Sequence, residues 1–274
     1  MIERIDAEKA IMKKKDNLPA SIDLESMAGQ GNEFVTARDT KLPIIKILYG
    51  NSPVLNDRDP RFDEKANIGD IWSETSGRIW KGRIGFLVAP CLYINTFNEW
   101  KDKGETTGRP VKIHLDPSIM NETKRDMDGK DRLPNGNYVE DTGNHFVCIL
   151  DEEYNVVEQA LITMKSTQKK KSKMWNSMIG SRRAQGKNGF YNPPTFSQVY
   201  KLAITKESKG DYTWSGWVVE FVGLMTPDKH LKTLTATQSF YQSAKTSDIF
   251  GKVDFSEENQ AQGNNQANKE AVPF

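Results

Sequence analysis

The sequence predicts a mainly β protein with inserted helices, closed into a small barrel with long loops and a disordered C-terminal tail. Three observations predict it. Runs of strand-forming apolar residues recur along the middle of the chain, clusters of Gly, Asn, Asp and Pro separate them, and only two later stretches carry helical caps and spacing. At 274 residues the chain is long enough to bury a sizeable core. A mean hydropathy of −0.66 implies that polar tails or loops accompany that core.

Residues 1–40 read as a flexible N-terminal segment, with a short helix over 7–15 and a loop over 27–32 that holds Gly29 and Gly31. Order begins near Leu42-Pro43, where Ile44, Ile45, Ile47, Leu48 and Tyr49 form an apolar run ended by Gly50-Asn51-Ser52-Pro53. Residues 70–74 make a short strand around Trp72. Residues 84–94 are rich in strand formers and cross the core, and 93–100 continue as an aromatic stretch. Residues 101–144 read as a long excursion with turns at Asp128-Gly129 and at 134–137, within which 111–115 pair locally.

Residues 145–150 and 156–164 form a hairpin around the loop 151–155. Residues 200–205 and 213–224 form a second across Ser208-Lys209-Gly210-Asp211. Between the hairpins, Ser166 or Thr167 caps a helix running through Trp175 to about Ala184. Asp228 caps another over 229–244. After Phe250 the composition shifts to Glu, Gln, Asn and Gly, the pattern of a disordered tail. Five or more strands with a helix after an internal strand suit an OB-fold-like barrel, although a β-sandwich gives nearly the same strand string. The chain thus divides into the segment 1–40, a barrel domain over 41–225, a C-terminal helix over 226–250 and a tail over 251–274.

Several classes are disfavoured. No apolar run reaches the roughly 18 residues of a membrane span, and the opening Met1-Ile2-Glu3-Arg4 lacks the layout of a signal peptide. Cys91 and Cys148 are too few for a disulfide framework, so a reducing cytoplasm is expected. The phosphate loop, the dinucleotide fingerprint and the His-Glu-x-x-His zinc motif are all missing. Asp126, Asp128 and Asp131 lack the Gly and Glu of a calcium loop. His145 and Cys148 have a zinc-like spacing, with Cys91 and His114 further off, but positions three apart on a strand face opposite sides. The expectation is a binding protein rather than an enzyme, with no cofactor and no metal.

Charge is sorted along the chain. Between Gln159 and Lys206 there is no Asp or Glu, while the same 48 residues carry ten cations: Lys165, Lys169, Lys170, Lys171, Lys173, Arg182, Arg183, Lys187, Lys201 and Lys206. The net charge is +1, so the remainder holds 28 basic against 37 acidic residues, a net of −9. Trp175, Phe190, Tyr191, Phe196 and Tyr200 are interleaved with the cations, and a smaller basic-aromatic cluster, Arg78, Trp80, Lys81 and Arg83, lies upstream. Cations that track phosphates and flat rings on which bases stack are what a single strand requires. Against this stands the plainer reading, in which the Lys run is a solvated helix face and Trp175, Met178 and Ile179 pack into a core. The 48-residue absence of acids favours nucleic acid as the partner.

The C-terminus ends in Ala271-Val272-Pro273-Phe274 after a weakly acidic linker. A terminal ring and carboxylate can enter an apolar pocket bordered by a cation on another protein, and the linker would raise the local concentration of such partners.

Three stretches resemble the single-stranded DNA-binding proteins of tailed bacteriophages. They are Leu42-Pro43-Ile44-Ile45-Lys46-Ile47-Leu48 with Ser52-Pro53 and Ile68-Gly69-Asp70-Ile71; 160–179 with Met164-Lys165-Ser166-Thr167 and Met174-Trp175-Asn176; and Pro194-Thr195-Phe196 with 200–205 and 214–220. The terminal Pro273-Phe274 resembles the tip of bacterial single-stranded DNA-binding proteins, but the consecutive acids that usually precede it are reduced here to Glu270. The resemblance implies an OB-fold, sequence-independent coating of single-stranded DNA in the host cell cytoplasm, and contacts with a polymerase, helicase or recombination protein. A homo-oligomer is compatible with it. A strand-annealing recombination protein and a virion structural or adaptor protein stand as alternatives. The candidate DNA-binding residues, drawn from the charge and aromatic pattern, are Arg78, Trp80, Lys81, Arg83, Lys165, Lys169, Lys170, Lys171, Lys173, Trp175, Arg182, Arg183, Lys187, Phe190 and Tyr191, and the candidate partner-binding residues are Pro273 and Phe274.

Overall fold

The computed structural model describes residues 26–27, 29–35, 39–102 and 109–246. The chain divides into two units, residues 1–40 and residues 41–274. Within the first, the described part is a series of turns in which Gly29 and Gly31 take positive φ. The helix expected over 7–15, the tail over 251–274 and its tip Pro273-Phe274 lie outside the described residues.

The second unit is mainly β. Its strands in chain order are β1 (Ile45–Ile47), β2 (Ile71–Ser73), β3 (Ile79–Trp80), β4 (Phe86–Trp100), β5 (Lys112–His114), β6 (Lys124–Arg125) and β7 (Asp131–Arg132). They continue as β8 (Tyr138–Leu150), β9 (Val156–Lys165), β10 (Ala184–Gly186), β11 (Gly189–Tyr191), β12 (Gln198–Lys209) and β13 (Tyr212–Leu224). Two α-helices are described, α1 (Lys169–Ser181) and α2 (Pro227–Thr246).

Strands β4, β8 and β9 form an antiparallel meander, α1 follows, and β12 and β13 form a hairpin whose first strand returns to pair with β4 at Tyr200↔Val88. A meander, a helix and a returning hairpin make up the strand order of an OB barrel. The sheet curls strongly but stays a half-barrel. The seam between β9 and β13 is occupied by the start of α1, where the Trp217 backbone N–H donates to Gln168 Oε1 at 2.9 Å. The small sheet β1-β2-β3 joins beside β9, through Leu161 N–H to the Pro43 carbonyl at 2.8 Å.

The interior is filled by Val88, Ile149, Ile162, Met164, Tyr200, Leu202 and Trp217 from the strands and by Trp175 from α1. A second apolar layer, with Ala89, Cys91, Phe146, Cys148 and Leu161, lies on the opposite sheet face under Phe240 and Ala244 of α2. Two buried faces explain why 86–91 and 146–150 read as continuous apolar runs instead of alternating ones. They also separate the zinc-spaced pair. His145 stacks on Trp175 inside the barrel, whereas Cys148 faces the other way, its Sγ 3.7 Å from the free thiol of Cys91.

Several boundaries differ from expectation, among them β8, which begins at Tyr138 inside the expected excursion because it pairs with β4 as far as Trp100. Neither Ser166 nor Thr167 caps α1: a 3-10 turn over Ser166–Gln168, with Ser166 at φ 49°, leads into the helix without a side-chain cap. The helix ends at Ser181, and residues 184–191 form the β10-β11 hairpin instead of its last turn. In α2, Asp228 lies inside the first turn, and His230 breaks the helical dihedrals at φ −128° and ψ 30°.

Candidate nucleic-acid interface

The acid-free block folds as the end of β9, α1, the β10-β11 hairpin and most of β12. Its cations do not share one fate. Lys165 is buried, its Nζ 2.9 Å from Glu140 and over the Trp100 ring. Lys169 pairs with Asp141 at 2.6 Å and also donates to Asn95. Lys171 reaches Glu207 at 2.5 Å, and this contact, helped by the Trp214 Nε1–H, holds the Glu207 carboxyl below the usual carboxylate range. Acids missing from the block in sequence are thus delivered to it by β8 and by the far end of β12.

Lys170 and Lys173 remain exposed on α1 with no ion pair among the described residues. Arg183 is exposed beyond the helix end, where its Nη1 donates to the Gly180 and Arg182 carbonyls. Arg182 is half-buried, its guanidinium 4.0 Å from the centre of the Phe221 ring.

Two residues expected at the interface belong to the interior. Trp175 is fully buried, stacked on His145 with centroids 4.3 Å apart and edge-on to Tyr200 at 5.8 Å. It offers no face to a base. Lys165 is withdrawn by different contacts, its ammonium held by Glu140 over the Trp100 ring on the sheet face opposite Met164. Helical spacing alone cannot separate a core tryptophan from an exposed one, and here burial decides.

The aromatic surface lies on the hairpin instead. Phe190 is 77% exposed and Tyr191 49% exposed, beside Lys187 in the turn. The ladder pairs Gln185 with Phe190 and Ala184 with Tyr191. Gly186 leaves room for the Tyr191 ring, which a Cβ there would meet at 3.1 Å.

The upstream cluster lies against β12. Its loop adjoins β12, with the Ile204 N–H donating to the Gly82 carbonyl at 2.7 Å. Trp80 is half-buried against Phe86, which in turn packs edge-on to Trp217. Arg78 lies 5.8 Å from the Trp80 ring and Arg83 is exposed, but Lys81 is held by Asp70 at 2.8 Å. The structure therefore places α1 and the 78–83 loop against the β12-β13 hairpin, and the β10-β11 hairpin follows α1 in the chain.

Two other surfaces are less suited to phosphate. OB barrels bind oligonucleotides across the outward face of their second and third strands. Here α2 covers that face at β8, through Phe240 and Ala244 over Phe146 and Cys148. A cavity of about 440 Å³ at the far end of β4 is lined by Glu99, Asp116 and Glu122 beside His114 and Lys112. Glu99 is saturated there by His114 Nε2 at 2.9 Å, Asn137 at 2.6 Å and Asn135 at 3.1 Å. Among the described residues no group of three or more His, Cys, Asp or Glu is arranged to hold a metal ion, and no helix is long and apolar enough to cross a membrane.

The acids that neutralise part of the block, Glu140, Asp141 and Glu207, carry no sequence signal, because the ladder that brings them close is tertiary. The hairpin escaped the sequence reading because its strands have only three residues each and no apolar alternation.

A family model described as Pam3 phage gp34-like protein matches residues 12–249, well over half of the chain. No curated protein and no solved structure matches it.

Proposed function

We propose that this chain, which belongs to the Pam3 phage gp34-like family and is a phage protein, binds single-stranded DNA without sequence preference. One observation carries the reading: Lys170 and Lys173 stay exposed on α1, Arg183 and Lys187 stay exposed in the segment that carries the open rings of Phe190 and Tyr191, and no acid lies in the intervening chain. Cations follow the phosphates and rings accept bases of any identity, so affinity comes without base readout. The role is strand protection during phage DNA replication or recombination, with no chemical step. The C-terminal tail, through Pro273 and Phe274, recruits replication or recombination partners.

The test is a fluorescence titration with labelled oligo-dT and with duplex of the same length, from low to high salt. Tight, salt-sensitive binding that favours the single strand supports the reading. Equal or negligible binding to both removes it and turns attention to a virion role. Faster pairing of complementary strands in the presence of the protein would assign annealing in place of coating.

A further inference from the structure

The β10-β11 hairpin stands apart from the barrel. It forms a two-stranded sheet of its own, and its strands pair only with each other. Its base is fixed: Pro193 is buried, and Gln198 Nε2 donates to the Pro193 and Ile179 carbonyls at 3.2 and 3.4 Å. Its tip is not packed, with Lys187, Asn188, Gly189 and Phe190 all exposed. Two short strands are marginal without a further layer to cover them. This ribbon therefore keeps an unsupported Phe and Tyr in water.

The placement of those rings constrains the ligand. Phe190 and Tyr191 are consecutive in a strand, so they project from opposite faces of the ribbon. A single strand lying along one face meets one ring. Both rings are engaged only when nucleic acid lies on both faces, which is the geometry of a junction where duplex opens into two strands. Residues 182–191 contain no acid, and Arg183 at the base and Lys187 at the tip place cations at both ends of the ribbon.

We infer that the hairpin is a wedge for the junction between double- and single-stranded DNA, with Phe190 stacked on the terminal base pair and Tyr191 on a base of the departing strand. The inference rests on the single-strand reading above and names the form of DNA that the same site prefers. Protection of a newly opened strand then begins at the point where it is exposed.

The test uses the full chain with three probes: oligo-dT, a blunt duplex, and the same duplex carrying a dT tail with 2-aminopurine in its terminal pair. The tailed duplex is expected to bind about tenfold more tightly than oligo-dT of the tail's length, the scale of one stacked base. The 2-aminopurine signal is expected to change as the Phe190 ring takes the place of the first tail base on the terminal pair, and to stay constant in Phe190→Ala. Phe190→Ala combined with Tyr191→Ala is expected to lower tailed-duplex affinity by about a hundredfold and oligo-dT affinity by about tenfold, because two rings stack at the junction and one on a single strand, so that the junction preference disappears. If the tailed duplex binds no better than oligo-dT, the wedge is overturned while the single-strand reading stands. If the variants weaken both probes equally, the rings are single-strand platforms and the wedge is again overturned. If oligo-dT does not bind at any salt concentration, the underlying reading itself fails.

Discussion

The Trp175 indole lies on the His145 imidazole with ring centroids 4.3 Å apart and planes inclined by 21°. Ser172 Oγ, one helical turn earlier, meets His145 Nε2 at 2.8 Å. Beneath both, Gly143 lets α1 approach β8, since any Cβ there would collide with the Ser172 hydroxyl. The aromatic at the centre of the basic block is therefore the joint between helix and barrel, and the cations are carried on its outer side.

Trp175→Ala is expected to cost about 3–5 kcal/mol of stability, the scale for emptying a buried aromatic site. Urea denaturation reads this directly. Oligo-dT affinity of the folded fraction should stay within about twofold, because the indole reaches no ligand.

Gly143→Ala is expected to destabilise by about 1–3 kcal/mol through overpacking against Ser172 and Tyr93. Combining it with Ser172→Gly, which removes the colliding hydroxyl, should recover part of the loss. A double variant no more stable than Gly143→Ala alone would argue against that contact as the cause.

Stability should fall in mild acid. Burial first, and repulsion from Lys169 second, depress His145 from its ordinary 6.5 to about 3. Between those values the unfolded chain carries a proton that the folded chain does not, so stability is present above pH 6.5 and is lost as pH falls toward 3. The loss by pH 4 is on the order of 2–4 kcal/mol from this group. Glu207, depressed by Lys171, adds a loss in the same direction as its carboxylate protonates. Urea midpoints from pH 7 to pH 4 measure the sum, and a His145→Gln variant should show a shallower slope.

Cations in one sequence block should separate into two phenotypes. Lys170→Ala with Lys173→Ala should leave stability within about 0.5 kcal/mol, as for ordinary surface sites. The pair should weaken oligo-dT binding and reduce the salt slope by about 0.7 per lost phosphate contact. Lys165→Ala should instead destabilise by about 3 kcal/mol, because it strands Glu140 at the strand end. Unchanged affinity in the first variant, measured by titration at several salt concentrations, would remove α1 from the interface.

The barrel was legible in the sequence because its central strands are buried on both faces. Phe86 to Cys91 and Phe146 to Leu150 can hardly be read as anything but core, and Gly210-Asp211 marks the turn between β12 and β13. The concentration of cations between Gln159 and Lys206 was equally plain, since charge order is a property of the chain itself. Which cations remain available was decided only by tertiary structure. Glu140, Asp141 and Glu207 are remote in sequence or lie just outside the block, and strand register is what brings them to Lys165, Lys169 and Lys171. The same holds for the aromatics: local spacing offered Trp175 and Phe190 alike, and packing drew the first into the barrel while leaving the second in water. Sequence order determines what a segment carries, but burial depends on what the rest of the chain lays over it.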